Sequence, residues 1–226
     1  MSYTAAQIIA DALAIAKCPG FLTMGGRALN YVLDDLSLHR NLKENLVTRT
    51  LIVPGASNGP FPLEADYLRT YDLWYLVDGT PYFLNPASLR ELDQDNIQQN
   101  VTNYPYEWAT DISGTVEQLY IYPQSNTQLS MTHRYYLRRP PIASPESSSV
   151  VPWFSDQDYL VQATAMRMMR VTDDSRYTTW VQDCEQLLKK HLMTEGDEQQ
   201  VVKEVMLDPR RFRTSSRDRP TKLDPF

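Results

Sequence analysis

The chain has 226 residues, a formal net charge of −6 and 42% hydrophobic residues, which is a composition typical of a folded globular protein. Its two cysteines, Cys18 and Cys184, are too few for a disulfide framework or a cysteine-rich zinc site. No run of about 18 apolar residues occurs and the N-terminus lacks a signal-peptide pattern, so we expect neither a membrane span nor a signal peptide.

The charge is distributed unevenly along the chain. Residues 209–226 contain six basic residues against two acidic ones, a net charge of +4, which leaves −10 on the rest of the chain. A basic tail on an acidic body is typical of an interaction arm. The acidic balance also argues against a general nucleic-acid coat.

The first 45 residues predict two helices. Thr4 and Gln7 have the spacing of a capping box at the start of the first helix, which Pro19-Gly20 should end. The second helix is predicted from about Arg27 to Leu42. Its apolar stripe recurs at helical spacing and comprises Leu29, Val32, Leu33 and Leu36.

The apolar period changes to that of β-structure at Leu46. Residues 46–53, 67–77, 116–122 and 128–138 are predicted as strands, since they are rich in β-branched and aromatic residues and are bounded by turn residues. Asp78-Gly79 predicts a two-residue hairpin turn, and Pro81 places the returning strand at a sheet edge. In the last strand five residues are expected on the buried face, namely Leu129, Met131, His133, Tyr135 and Leu137.

Two further helices follow a Pro/Ser-rich connector over residues 140–152. Ser155 is predicted to cap the first of them, and Asp173-Asp174-Ser175 separates it from the second. The second has an apolar stripe of Tyr177, Val181, Cys184, Leu188 and His191. Beyond Gly196 the chain becomes polar and Pro/Arg-rich, which favours an extended arm.

These patterns predict an α+β fold in which N- and C-terminal helices form a helical bundle, with an inserted antiparallel β-sheet lobe and an extended C-terminal arm. The predicted division is residues 1–45 for the N-terminal helices, 46–140 for the β lobe, 153–196 for the C-terminal helices and 197–226 for the basic arm.

The sequence contains no recognisable catalytic, phosphate-binding or metal-binding motif. His39, His133 and His191 are far apart in the chain, and the adjacent carboxylates of Asp34-Asp35 and Asp173-Asp174 point to different helix faces or mark a break. We expect His133 to be a hydrogen-bonded core or edge histidine, and His191 to lie near a helix C-terminus, where it complements the helix dipole. The prediction is therefore no enzyme, no catalytic residue, no metal and no cofactor.

Several aromatic residues are candidates for an interface. Tyr71, Trp74, Tyr75 and Tyr82 surround the predicted hairpin. Tyrosines also stack on bases in single-strand binders, but no basic residues alternate with these. Met166, Met168 and Met169 suit either an adaptable binding surface or, since two of them have helical spacing, a core. In the arm, Phe212 and Phe226 add apolar anchors that a merely solvated tail does not need.

The order of motifs resembles that of the head-to-tail adaptor (connector) proteins of tailed bacteriophages. The resemblance covers residues 4–195 and consists of the capped first helix, the closing pair of helices, and five segments between them. These segments are Pro62–Arg69, Trp74-Tyr75, Ser88–Leu92, Leu119–Pro123 and Tyr135–Pro140.

The resemblance implies a structural virion protein of the neck, assembled in the host cytoplasm. It implies a homo-oligomeric ring, a dodecamer, that joins a portal protein to a tail or nozzle protein and lets DNA pass through its channel without sequence-specific binding. Tyr71, Trp74, Tyr75 and Tyr82 become candidates for the inter-subunit or tail interface. The predicted portal-docking arm comprises Arg210, Arg211, Phe212, Arg213, Arg217, Arg219 and Phe226.

The main alternative is a nucleic-acid-binding protein that uses the basic C-terminal arm on phosphates. Its binding would weaken steeply with salt.

Overall fold

The computed structural model describes residues 3–98, 104–114 and 116–195. Five α-helices lie in this part of the chain: α1 (Ala5–Ile15), α2 (Leu22–His39), α3 (Leu89–Gln98), α4 (Gln157–Val171) and α5 (Tyr177–Glu195). The strands are β1 (Leu46–Val53), β2 (Phe61–Pro62), β3 (Tyr67–Val77), β4 (Thr80–Phe83), β5 (Asn85–Pro86), β6 (Glu107–Asp111), β7 (Gln118–Tyr122) and β8 (Leu129–Leu137). The predicted α+β class is confirmed.

Helices from both ends of the chain share one core. α4 lies in the centre and packs against α1, α2 and α5, and α1 also packs against α2. The core is mainly aliphatic, because each helix turns its apolar stripe inward. Its fully buried members include Ile8, Ile9, Leu29, Phe154, Leu160 and Met169.

Local capping fixes where two of these helices begin. The Thr4 capping box is confirmed: the Gln7 N–H donates to Thr4 Oγ1 over 3.3 Å, and the Thr4 N–H donates to Gln7 Oε1 over 2.9 Å. The predicted cap of α4 is wrong. Asp156 rather than Ser155 is the N-cap, since its carboxylate accepts from the Tyr159 N–H. The Ser155 N–H donates instead to the Glu44 carboxylate.

The second helix begins earlier than the sequence predicts, at Leu22 rather than Arg27. The reason is the contact between α1 and α2. A Cβ atom on Gly25 would lie 2.9 Å from Ile9 Cγ2, so the absence of a side chain lets the two helices approach closely. The glycines therefore belong to the helix interior, where packing outweighs their low helix propensity.

The inserted β-structure forms two four-stranded sheets rather than one. Their strand orders are β1-β8-β3-β4 and β2-β7-β6-β5. Residues of both sheets share one core, which includes Leu73, Tyr75 and Met131 from the first sheet and Leu119 and Ile121 from the second. The lobe is therefore a β-sandwich in which each sheet buries alternate residues against the other.

The β3–β4 hairpin has the predicted geometry. Asp78 and Gly79 have φ values of 50° and 80°, as a type I′ turn requires. Pro81 lies in β4, which is an edge strand of its sheet.

The second sheet contains two features that the sequence patterns do not indicate. β6 was not predicted, and β5 pairs with it in parallel. β6 and β7 also bury both faces. Trp108 and Ile121 point into the sandwich, while Ala109 and Tyr122 pack under α3 with Leu92. A strand buried on both faces lacks the simple alternation that identifies a half-buried one.

Candidate interaction surfaces

Arg69 joins the sandwich to the end of α2. Its guanidinium donates to the Leu38 and Arg40 backbone carbonyls, over 2.7 and 2.9 Å, and to Asn41 Oδ1. These carbonyls belong to a helix C-terminus, where a cation is favourable. The guanidinium also lies 5.0 Å from the Tyr136 ring centre, and burial lowers the pKa of Arg69. These contacts, which we name the Arg69 clamp, link strand β3 of the sandwich to the end of α2 in the bundle.

A second set of contacts connects the two lobes where the chain returns to the bundle. Arg139 donates to Asn45 Oδ1 and to the Glu44 carbonyl, and its guanidinium lies over the Trp153 ring. Asn30 pairs with the backbone of Ile142 through two hydrogen bonds of 3.0 Å each. Ile142 thus attaches the connector over residues 140–152 to α2, and Arg139 attaches the end of the β lobe to the residues that precede β1.

His133 is a buried structural histidine, as predicted. Its Nε2 lies 2.9 Å from Thr70 Oγ1, and its ring stacks on Tyr135 with 5.1 Å between ring centres. Burial lowers the pKa of His133 to about 4, although the carboxylate of Asp72 opposes this shift. The ring is therefore neutral at pH 7 and unsuited to holding a positive charge.

The predicted role of His191 is wrong. Its ring packs against Phe154, with 4.7 Å between ring centres, and its Nδ1 lies 3.8 Å from Asp156 Oδ2 at the start of α4. It lies more than three residues before the end of α5, which leaves it outside the last turn. His191 therefore connects α5 to the capped end of α4.

The four aromatic residues proposed from the sequence do not share one surface. Tyr82 is 50% exposed, Tyr71 is also exposed and Trp74 is half-buried, so all three are accessible. Tyr75 is only 1% exposed, and its hydroxyl donates to the Pro105 carbonyl over 2.9 Å. Burial raises the pKa of Tyr75 to about 12. Tyr75 is a core residue and leaves the set of interface candidates.

The outer face of the first sheet carries an apolar patch that the sequence analysis missed. Trp74 is paired with Phe83, and Leu76 is paired with Pro81, across the β3–β4 hairpin. Ile52 lies on the same face, in strand β1 at the opposite edge of the sheet. Ile52, Leu76 and Phe83 are each 57–60% exposed. The alternation of side chains along β3 would have placed Trp74 and Leu76 on the face of the sheet opposite to that of Tyr75. We name Ile52, Trp74, Leu76, Pro81 and Phe83 the outer-sheet patch.

A polar row borders the outer-sheet patch on the same face. Arg134 forms a bidentate ion pair with Asp72, with 2.7 Å between Nε and Oδ1, and lies over the Tyr71 ring. The nearby Arg139 points elsewhere, since it contacts Glu44, Asn45 and the Trp153 ring. An apolar centre with a charged rim is typical of a protein-binding surface.

Two depressions follow the exposed side of α2. A cleft of about 620 Å³ lies between the bundle and the sandwich, with Arg27, Asp34, Asp66 and Trp153 among its walls. A groove of about 430 Å³ lies between α2 and the C-terminal half of α4. We name this the α2–α4 groove. It is lined by Met24, Arg27, Ala28, Tyr31, Met166, Arg167, Met168, Arg170, Val171 and Tyr177. Met168 and Met169 are fully buried, which supports the core interpretation of that cluster.

The described residues offer no constellation suited to metal binding. Within residues 3–98, 104–114 and 116–195, no group of three or more His, Cys, Asp or Glu side chains is placed to hold a metal ion. In the same ranges, no helix combines the length and the apolar character that crossing a bilayer requires. Cys18 and Cys184 are free and buried, and burial raises the pKa of both thiols.

The predicted docking arm lies outside the described residues. This applies to Arg210, Arg211, Phe212, Arg213, Arg217, Arg219 and Phe226. Their role stays a prediction from the sequence.

Comparison with protein families supports the resemblance found in the sequence. A search of curated proteins found no match. The family model described as SU10 adaptor protein matches residues 3–211, which extends past the 4–195 range of the sequence resemblance. Adaptors of this kind are structural components of the virion, and their family is not an enzyme class. The match covers most of the 226 residues, so the chain belongs to the SU10 adaptor family of phage head-tail adaptor proteins.

Proposed function

We propose that this adaptor assembles into a ring, a dodecamer, that joins the portal vertex to the tail and continues the DNA channel. The observation that supports it most directly is the outer-sheet patch on a member of an adaptor family. Large side chains exposed together on one sheet face mark an interaction site. A neighbouring subunit that covers this patch with a different surface makes a heterologous contact, and such contacts generate a ring when they close.

The accessible aromatic residues supply the predicted contacts. Trp74 belongs to the outer-sheet patch, whereas Tyr71 borders it beside Arg134. Tyr82 lies on the opposite face of the edge strand, against Tyr75. We propose that Tyr82 contacts a tail or nozzle protein, because its side chain is half exposed on an edge strand of the sandwich.

The basic arm is the proposed contact with the portal protein. Its arginines present planar donor forks that match carboxylates on a partner. Phe212 and Phe226 would seat in apolar pockets and fix the register. Each arm loses conformational freedom on binding, but twelve arms on one ring act together and gain avidity.

The charge of the remaining chain supports passage of DNA. The residues outside 209–226 carry a net charge of −10, and an acidic channel wall repels phosphates. We propose that the ring lets DNA pass without gripping its sequence.

The ring is tested by negative-stain imaging and sedimentation of the purified chain, with and without portal rings. Leu76→Asp, in the outer-sheet patch, should prevent ring formation, because it buries an unpaired charge at the contact. Ile112→Asp is the matched control, since Ile112 is 67% exposed and lies outside the patch. A ring that forms normally with Leu76→Asp would remove the patch from the subunit contact. Absence of any ring in both conditions would overturn the proposed function.

The arm is tested by deleting its basic part, residues 209–226. Binding to portal rings should be lost, whereas binding to duplex DNA at moderate salt should be negligible before and after the deletion. Portal binding that survives unchanged would rule out the docking role. Loss of a steeply salt-dependent DNA affinity would favour the nucleic-acid alternative.

A further inference from the structure

The α2–α4 groove combines an apolar floor with charged lining residues that are all positive. Met24, Met166 and Val171 supply apolar side chains, and Met24 and Val171 are exposed. Arg27, Arg167 and Arg170 supply three guanidinium groups, and the described residues that line the groove include no carboxylate. A partner that fits this surface needs apolar side chains and several negative charges close together.

One of these guanidinium groups has a buried nitrogen without a hydrogen-bond partner among the described residues. Arg167 Nε is shielded from solvent and has no acceptor among the described residues. The other two arginines of the groove, Arg27 and Arg170, are exposed. No described carboxylate forms a salt bridge with any of the three, since the ion pairs of the described residues involve other cations. Buried donors are normally satisfied, so the groove favours a ligand with carboxylates.

The chain itself contains a segment with this chemistry. Residues 197–208 contain four acidic residues against one lysine, a net charge of −3. The same segment contains five large apolar residues, Val201, Val202, Val205, Met206 and Leu207. It directly follows α5 and precedes the basic part of the arm. The match to the adaptor family model extends to residue 211, so this segment lies within the matched range.

We propose that residues 197–208 of one subunit bind in the α2–α4 groove of a second copy of this chain. Carboxylates of Glu198, Glu204 and Asp208 pair with the arginines, while Val201, Val205 and Leu207 cover the methionines. The inference rests on the proposed ring, because a ring supplies each groove with a neighbour. It divides the arm into an acidic half that binds a neighbour and a basic half left for the portal.

The geometry of the helices favours a second copy over the same chain. The groove lies at the C-terminal end of α4 and the start of α5, where Tyr177 is located. α5 runs back along α4, since His191 contacts Phe154 and lies beside Asp156 at the other end of α4.

A return within one chain would use up most of the segment. A helix of 19 residues spans about 28 Å, which an extended chain covers with roughly eight residues. Only the last residues of the segment would then reach the groove of their own subunit.

Disulfide trapping separates these arrangements. Full-length Met24→Cys and Val205→Cys variants are mixed in equal amounts under conditions that form the ring, with portal where it is needed. We expect a covalent heterodimer whose peptide map joins positions 24 and 205. Ile112→Cys replaces Met24→Cys in the matched control and should not trap Val205→Cys. No heterodimer above this control would overturn the inference. A chain that carries both Met24→Cys and Val205→Cys and forms the disulfide only within itself would also overturn the inference.

A peptide titration tests the chemistry without requiring a ring. A fluorescein-labelled peptide of residues 196–208 is titrated with the full-length chain, and its anisotropy is measured. Arg27→Glu with Arg170→Glu should weaken binding by about tenfold or more, because both reversals lie on the exposed rim. Lys189→Glu with Lys190→Glu makes the same change in net charge on the exposed side of α5. Equal loss in both variants would show non-specific charge attraction and overturn the inference.

The two experiments fail independently of the proposed function. A ring without the trapped pair removes the groove contact and leaves the adaptor ring intact. A chain that binds the peptide specifically but forms no ring, even with portal, overturns the ring and retains the groove as a peptide site.

Discussion

The helical bundle and the β-sandwich bury their cores in different ways. The bundle joins helices that are more than 100 residues apart in the sequence, and Asn30 of α2 is bonded to Ile142 of the returning connector. The sandwich closes within residues 46–137 and leaves one sheet face apolar and exposed. The bundle thus forms only when the C-terminal helices pack on the N-terminal ones. The sandwich core, in contrast, is built from one continuous segment, and its outer face has exposed apolar residues that a partner could cover.

The largest effects should come from cavities in the two cores. Leu160 and Leu119 are both fully buried, the first in the bundle and the second in the sandwich. Leu160→Ala and Leu119→Ala should each cost about 2–5 kcal/mol of stability. We expect each loss mainly in its own region, measured by native-state hydrogen exchange of α4 and β7 amides. Equal losses in both regions would mean that bundle and sandwich unfold as one unit.

Acid should weaken the sandwich in particular. The unfolded His133 has an ordinary pKa near 6.5 and the folded residue has a pKa of about 4, so the unfolded chain binds the extra proton. The contribution is therefore fully present above pH 6.5 and is lost as pH falls towards 4, with a ceiling of about 3 kcal/mol.

Urea unfolding of the sandwich between pH 7 and 4 measures this contribution. His133→Gln should remove most of the slope, whereas His39→Gln, on an exposed helix end, should retain it. A slope that persists in His133→Gln would assign the acid sensitivity to other groups.

The Arg69 clamp is expected to set how strongly the two regions are coupled. Arg69→Ala removes hydrogen bonds from a charged donor to the end of α2, at a cost of about 2 kcal/mol. Arg69→Lys keeps the positive charge but lacks the planar guanidinium, so it should recover only part of the lost stability. Arg90→Ala, exposed on α3, is the control. If Arg69→Ala leaves the separation between the helical and sandwich unfolding transitions unchanged, the connector contacts suffice for coupling.

The smallest effect should be local to the first helix. Thr4→Ala removes the capping box and should lower stability by about 1 kcal/mol. Thr23→Ala, at an exposed position of α2, gives the baseline in thermal unfolding followed by circular dichroism. A change no larger than this baseline would show that contacts of the bundle fix the start of α1.

The sequence predicts well where local chemistry decides the structure. The Thr4 cap, the bounds of β1 and β3, and the Asp78-Gly79 turn all depend on neighbours in the chain. The start of α2 was wrong because Gly25 is favoured by a contact with α1, which no local pattern contains. The division into two sheets depends on strand order, which likewise arises from long-range packing.

The interaction surfaces were only partly predictable. An aromatic run gives residue types but not their direction, so Tyr75 was grouped with Trp74 although they lie on opposite faces of β3. Period-two alternation from Leu73 would have separated them. The α2–α4 groove had no sequence signal, because its walls come from three helices that meet only in the folded chain.

The entry and exit of the sandwich lie side by side, since Leu46 is paired with Tyr136 across β1 and β8. For the bundle, the intervening chain of roughly 90 residues therefore acts as a single short connection once the sandwich has formed. Closing a flexible loop of that length would cost roughly 3 kcal/mol more in chain entropy than closing a two-residue turn. This pairing therefore favours a folding order in which the sandwich forms first, and pulsed hydrogen exchange should find β1 and β8 protected before α1 docks on α4.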